Sequence, residues 1–143
     1  MKGSTMTTNR IPAKTATTKL ERAVLRWINA RGEDYAGSGV AGALADLFYG
    51  GCSSGMVSDL IYTADCVRFY KRHQKEIDGL LAQMVSDTGL APHELFKGNS
   101  HNMGWDAEDP LARDDTNQNI LAWFGFEETA RRLADRAGIE ASK

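Results

Sequence analysis

The sequence predicts an all-α fold: a compact single domain of several helices, with one long acidic loop before the C-terminal helix. Three observations predict it. Apolar residues recur at three- and four-residue steps through most of the chain, as on one face of an α-helix. Helix start and stop signals flank these stretches. No segment alternates apolar and polar residues over the length of a strand.

The first helix is predicted to begin at a capping box and to end at a glycine. Thr18 and Glu21 have the spacing in which each side chain accepts a hydrogen bond from a backbone N–H near the other. Gly32 follows a basic last turn and is expected to stop the helix. A second helix is expected over residues 40–49, before the pair Gly50-Gly51.

The middle of the chain contains several shorter helical patterns. A third helix is expected from Ser53 or Ser54 to about residue 62, and a fourth over 65–73, although one kinked helix fits the same residues. An amphipathic helix over 74–88 follows, and Pro92 suits the first turn of a short helix through residue 96. The inward face of the 74–88 helix is predicted to carry Ile77, Leu80, Leu81, Met84 and Val85.

The last helix is predicted to begin with Asp115 as its N-cap and to close at Ala137-Gly138. Its apolar face is broad: Ile120, Leu121, Trp123, Phe124, Leu133 and Ala134. Residues 1–17 lack apolar periodicity and are expected to be a disordered tail, partly a cloning remnant before Met6. The single helical domain is therefore placed at 18–138, with a short tail at 139–143.

Charge is distributed unevenly along the chain. Residues 1–31 hold seven Lys/Arg and one acid, a balance of +6, whereas residues 32–143 hold ten Lys/Arg and eighteen acids, a balance of −8. An acidic body disfavours non-specific nucleic-acid binding and favours basic partners. There is no apolar run of about 18 residues and no apolar leader, so we expect a cytoplasmic protein without a membrane span.

The sequence offers little support for catalysis or metal binding. Cys52 lies in the turn GGCSSG before a helix, where a thiol pKa can be lowered, but His73, His93 and His101 match no nucleophile signature. Cys66 falls on an apolar face. The turn is not a P-loop, and no cysteine, histidine or acid spacing matches a metal site. We therefore predict no catalytic residue, no metal and no cofactor.

The long loop over residues 97–115 is the leading candidate for binding a partner. It concentrates five acids beside Trp105, which could anchor a contact. A partner with a Lys/Arg-rich surface would meet these acids, together with Glu33, Asp34, Glu127 and Glu128. The predicted partner-binding residues are Trp105, Asp106, Glu108, Asp109, Asp114 and Asp115.

An alternative surface is a small basic patch near residue 70. It consists of Arg68, Lys71, Arg72 and Lys75, grouped with Tyr70. Basic side chains beside an aromatic ring suit a nucleic-acid contact, whereas the same cations also suit the solvated end of a helix, where they complement the dipole.

Three segments carry a resemblance: GGCSSGMVSDLIYTADCVRFY, DTGLAPHELF and DPLARDDTNQNILAWFGFEETARRLAD. Over most of residues 18–138 the chain resembles a family of small phage, prophage and mobile-element proteins. Small acidic proteins of similar layout are encoded beside anti-CRISPR genes. The resemblance implies a protein inhibitor that occludes a basic surface of a CRISPR–Cas effector, and it carries over no functional residue. The alternative is a DNA-associated regulatory phage protein using the basic patch.

Overall fold

The structure is a computed structural model of the 143-residue chain, and it describes residues 10–35, 37–49, 63–95 and 114–139. The fold is all-α, as predicted, and every regular element in these ranges is helical. No helix in them is both long and apolar enough to cross a membrane. The elements are a 3₁₀ turn at Ala13–Thr15 and the helices α1 (Lys19–Gly32), α2 (Gly39–Tyr49), α3 (Thr63–Arg72), α4 (Gln74–Thr88), α5 (Pro92–Leu95) and α6 (Asp114–Ala137).

Contacts within the chain divide it into two units. The first unit comprises Met1–Val57 and Glu127–Lys143, and the second unit comprises Ser58–Phe126. The first therefore contains α1, α2 and the C-terminal part of α6, and the second contains α3, α4, α5 and the N-terminal part of α6. The helix predicted over 53–62 lies outside the described residues.

The start of α1 confirms the predicted cap. Thr18 has extended backbone dihedrals, and its hydroxyl accepts a hydrogen bond from the Glu21 N–H at 3.1 Å. The Glu21 carboxylate reaches back one residue further than the capping box requires, accepting from the Thr17 N–H at 2.8 Å. The side chain thus satisfies a backbone donor just before the helix.

The predicted end of α1 is confirmed, because Gly32 is the last residue of the helix, but Gly32 lacks the left-handed backbone that is typical of a helix-stopping glycine. The C-cap is Glu33, which has right-handed helical dihedrals. Gly32 serves packing instead: a Cβ at this position would lie 2.7 Å from Val40 Cγ1 in α2. Its lack of a side chain lets the end of α1 approach the start of α2.

The predicted disordered tail was wrong for residues 10–17, which we call the strap. Ile11 is 1% exposed, and its backbone pairs with the buried side chain of Asn29. The Arg10 guanidinium lies 3.2 Å from the Glu33 carboxylate, and the Thr17 N–H donates a hydrogen bond to the Glu21 carboxylate. As the strap advances from 10 to 17, its partners recede from 33 to 21, so the strap runs antiparallel to α1. The composition of residues 10–17 did not predict this order, because the residues that hold the strap lie later in the sequence.

In the second unit, α3 and α4 are separated at His73, and α4 has the predicted bounds. Gly89 ends α4 with φ +74°, its N–H donating to the Val85 carbonyl at 2.8 Å. The predicted inward face is correct only in part. Ile77 is fully buried, whereas four residues are half-buried: Leu80, Leu81, Met84 and Val85.

The last helix begins earlier than predicted and ends as predicted. Asp114 and Asp115 already lie within α6, so Asp115 is not its N-cap. At the other end, Gly138 has φ +71°, its N–H donates to the Asp135 carbonyl at 3.1 Å, and the Ile139 N–H donates to the Ala134 carbonyl at 2.9 Å. These two bonds form a Schellman motif.

Buried apolar side chains occur in both units, and they confirm five of the six residues of the predicted α6 face. The sixth residue, Phe124, is only half-buried, whereas Phe126, which the predicted face left out, is buried. In the first unit the largest fully buried side chains are Ile11, Leu20, Val24, Ile28, Val40, Leu44, Leu47 and Leu133. In the second unit Tyr70 and Ile77 are the corresponding residues.

Candidate functional site

The leading predicted site lies mostly outside the described residues. Trp105, Asp106, Glu108 and Asp109 fall in the segment between α5 and α6 that the structure does not describe. For Asp114 and Asp115 the structure gives the backbone, which forms the first turn of α6. Acidic residues suit this position, because the N-terminus of a helix carries a partial positive charge. The partner-binding prediction for these six residues stays a prediction.

The other acids assigned to an acidic surface have basic neighbours in the first unit. Three of them form salt bridges, and the guanidinium group in each pair offsets the negative charge locally. A contribution of these three acids to an acidic docking surface stays a prediction. The pairs are Arg10–Glu33 at 3.2 Å, Arg31–Asp34 at 3.7 Å and Arg132–Glu128 at 3.0 Å.

The fourth acid, Glu127, has an unusual environment that the sequence did not predict. Burial raises the pKa of its carboxyl to about 7, while the charge of Arg131 one turn later acts in the opposite direction. The Arg131 guanidinium lies 4.3 Å from the centre of the Phe48 ring in α2, in a cation–π contact. Glu127 is thus partly protonated near neutral pH and is a weak contributor to any acidic surface.

The basic patch is described completely, and all four of its cations are exposed. Arg68, Lys71 and Arg72 share one face of α3 at three- and four-residue spacing, and Lys75 follows in the first turn of α4. Arg68 forms a salt bridge with Asp65, yet its side chain remains 63% exposed. Cations at the end of α3 also complement the negative end of its dipole.

Tyr70 does not belong to this surface, which corrects the grouping made from the sequence. Its side chain is 1% exposed, and its hydroxyl donates a hydrogen bond to the Asp78 carboxylate at 2.7 Å. Burial and the Asp78 carboxylate raise the pKa of Tyr70. His73 is also buried and stacks at a tilt on Phe69, with ring centres 4.8 Å apart. Tyr70 therefore offers no exposed ring for stacking on a base.

A second set of exposed cations lies along α1, in the first unit. Lys19, Arg22 and Arg26 are exposed and follow one another at spacings of three and four residues. These three cations were not among the predicted surfaces. The i, i+3, i+7 spacing was the signal that could have identified them.

Cys66 behaves as a packing residue, as predicted. It is 1% exposed, and burial together with the Asp65 charge raises the pKa of its thiol to about 11. A thiol in this state is a poor nucleophile at neutral pH. Among the described residues, no three His, Cys, Asp or Glu side chains gather as metal ligands. Cys52 and His101 lie outside those residues, as does the side chain of His93.

The described geometry is that of an α-helical protein with exposed cations on α1 and at the junction of α3 and α4, and with a buried asparagine of α1, Asn29, that binds the Ile11 backbone. Residues 16–139 match the family described as a domain of unknown function, DUF7222. The match covers most of the chain, so the chain belongs to this family. No match was found among the curated proteins or among the solved structures.

Proposed function

We propose that this protein is a non-enzymatic binding protein of the cytoplasm, and that it acts as a phage-type inhibitor of a bacterial defence complex. In its concrete form it is an anti-CRISPR protein that occludes a basic surface of a CRISPR–Cas effector. The observation that carries the proposal is the concentration of five acids beside Trp105 in residues 97–115. A Lys/Arg-rich nucleic-acid channel is the protein surface that such a segment complements.

The distribution of charge supports the same segment as the contact. Several acids elsewhere are tied to arginines within the first unit, including Glu33 and Glu128. The pairing reduces the capacity of these acids to attract a basic partner. In residues 97–115, by contrast, the sequence has five acids and only two Lys/Arg residues, Lys97 and Arg113. Association through this segment would be fast and would weaken as salt is raised.

The test compares two triple charge reversals with the same net change. The first reverses Asp106, Glu108 and Asp109 to lysine. The matched control reverses three acids elsewhere, Asp87, Glu94 and Asp135, which are exposed in the structure. Each protein is added to purified CRISPR–Cas effectors of several types, and target-DNA cleavage is measured at low and moderate salt.

We expect the unmodified chain and the control to inhibit one effector, and the first triple variant to lose inhibition. Equal inhibition by both triple variants would remove the segment as the site. No inhibition of any effector, with the chain folded, would remove the anti-CRISPR proposal itself.

A second candidate function is DNA-associated regulation through the basic patch. The observation that favours it is the exposure of all four cations at the junction of α3 and α4. A gel-shift assay with duplex DNA tests it, comparing Lys71→Ala/Lys75→Ala with Lys19→Ala/Arg26→Ala on α1 as the matched control. Removing two phosphate contacts should lower the slope of log K against log salt by about 2, and the control should leave it unchanged. The leading proposal predicts no shift with DNA alone.

A further inference from the structure

The strap occupies a site on α1 that binds peptide backbone. Asn29 is 6% exposed, and its amide binds both polar groups of one residue: Oδ1 accepts from the Ile11 N–H at 2.7 Å, and Nδ2 donates to the Ile11 carbonyl at 3.0 Å. An amide paired in this way accepts an extended residue whatever its side chain. Pro12 favours the extended conformation at the residue that precedes it.

Two side chains of the strap add sequence selectivity. Ile11 is 1% exposed, so its β-branched side chain is inserted among buried neighbours beside Asn29. Arg10 forms a salt bridge with Glu33, in which both side chains are about two-thirds exposed. The selected pattern is therefore a basic residue, then Ile or Val, then proline.

The rest of the strap is also held through backbone atoms. Arg136 of α6 donates to the Thr15 carbonyl at 3.2 Å and binds the Glu21 carboxylate at 2.7 Å. The strap spans residues 10–17 against residues 21–33, which comprise most of α1 and its C-cap and correspond to a rise of about 18 Å along a helix. Most of this recognition would be available to a chain segment other than the strap.

The boundary of the family match separates the site from its occupant. Asn29, Glu33 and Arg136 lie inside the matched residues 16–139, whereas Arg10–Thr15 lie outside them. We propose that the surface formed by Asn29, Glu33 and Arg136, called the slot below, is a binding site for a partner protein. The slot would bind an extended segment of the partner that has the pattern Arg/Lys–Ile/Val–Pro. Residues 10–12 are its intramolecular occupant, and the partner segment displaces them. The proposal does not depend on the function proposed above.

The test uses the full chain and a labelled peptide with the sequence of residues 9–15, Asn-Arg-Ile-Pro-Ala-Lys-Thr, followed by fluorescence anisotropy. In the unmodified chain the strap competes at an effective concentration on the order of millimolar, so peptide binding is weak. Ile11→Asp places a carboxylate where the strap must bury an aliphatic side chain, which vacates the slot. This variant should bind the peptide at least about tenfold more tightly than the unmodified chain.

Two matched controls locate the binding. Adding Asn29→Ala to the Ile11→Asp variant should weaken peptide binding at least about tenfold, because the backbone pairing is lost. A peptide with aspartate in place of its isoleucine should not bind. Circular dichroism establishes that each variant is folded, and Ile11→Ala replaces Ile11→Asp under the same criteria if the latter unfolds.

Three results would overturn the proposal. The first is a folded Ile11→Asp variant that fails to bind peptide at concentrations up to about 1 mM. The second is binding that Asn29→Ala leaves unchanged, which would place the peptide elsewhere. The third is a dimer of the unmodified chain that free peptide converts to monomer, which would make a second copy the occupant.

Discussion

Gly125 in α6 and Ile77 in α4 approach each other closely within the second unit, and one added methyl group tests this contact. A Cβ at Gly125 would lie 2.6 Å from Ile77 Cγ1 and 2.8 Å from Ile77 Cδ1. Carbon atoms in favourable contact are about 3.5–4 Å apart. Ile77 is 0% exposed, so its side chain cannot turn into solvent to make room.

Two opposing effects decide the change in the free energy of unfolding for Gly125→Ala. Overpacking a buried contact costs about 1–3 kcal/mol. Replacing a helical glycine by alanine stabilises the helix by about 1 kcal/mol. Because one of the contacted atoms is Cγ1, close to the backbone of α4, we take the upper part of the overpacking range. The net expectation is a destabilisation of about 1–2 kcal/mol, or a lower Tm by about 3–7 °C.

Gly79→Ala is the matched control, since Gly79 lies in the middle of α4 and is exposed. A Cβ there would meet no atom within 4 Å. The control should therefore gain only the helical preference of alanine, about 0.5–1 kcal/mol. Urea unfolding is followed by tryptophan fluorescence and by circular dichroism, because coincident transitions test two-state behaviour. Trp123, two residues before Gly125 and 6% exposed, reports on this region.

A double-mutant cycle separates packing from other effects. Ile77→Ala removes the three atoms nearest to the new methyl group, so in that background Gly125→Ala should stabilise the chain. The reasoning is refuted if Gly125→Ala alone stabilises the chain as much as Gly79→Ala does, because the two helices would then have room for the methyl group.

Three further predictions concern the first unit. Asn29→Ala leaves both backbone groups of Ile11 unpaired, so urea unfolding should show a loss of about 2–3 kcal/mol and hydrogen exchange at the Ile11 amide should accelerate. The Arg136 hydrogen bond lowers the pKa of Glu21 to about 2, so the ionised Glu21 stabilises the fold above pH 4.5, and this stabilisation is lost as pH falls towards 2. Because solvent screens the partly exposed Arg136, Glu21→Gln should lower the free energy of unfolding at pH 7 by roughly 1 kcal/mol. The variant should also show a weaker loss of stability with acid than the unmodified chain. Burial raises the pKa of Glu127 to about 7, so its contribution to stability falls as pH rises from 4.5 to 7; Glu127→Gln should be more stable than the unmodified chain at pH 8 by roughly 1–2 kcal/mol in thermal melts, and no difference would contradict the buried carboxylate.

Local signals predicted the parts of the fold that local interactions determine. The Thr18 cap and the glycine ends at 89 and 138 depend on residues within a few positions, and all three are confirmed. Gly32 also stands at the end of its helix, but without the left-handed backbone of Gly89 and Gly138, and its lack of a side chain permits the close approach of Val40. A sequence window cannot show that a glycine serves a close approach between helices.

Interactions between distant residues account for the remaining errors. The strap has a tail-like composition, and only the amide of Asn29, 18 residues after Ile11, shows that it is held in place. The exposure of the basic patch could be predicted from helical spacing, whereas the burial of Tyr70 depends on Asp78 and on its surroundings in the second unit. The raised pKa of Glu127 likewise reflects burial, which the acidic sequence around it does not reveal.

The buried thiol of Cys66 can also report how often the second unit opens. At pH 7 to 8 the side chain is protonated, because its pKa is about 11, and it is 1% exposed. A thiol reagent can therefore modify it only in molecules in which this unit has transiently opened. In a Cys52→Ser background, the rate of labelling relative to a free thiol gives the population of open molecules under native conditions. Because the thiol does not react while it is buried, its labelling rate measures how often α3 leaves its packed state.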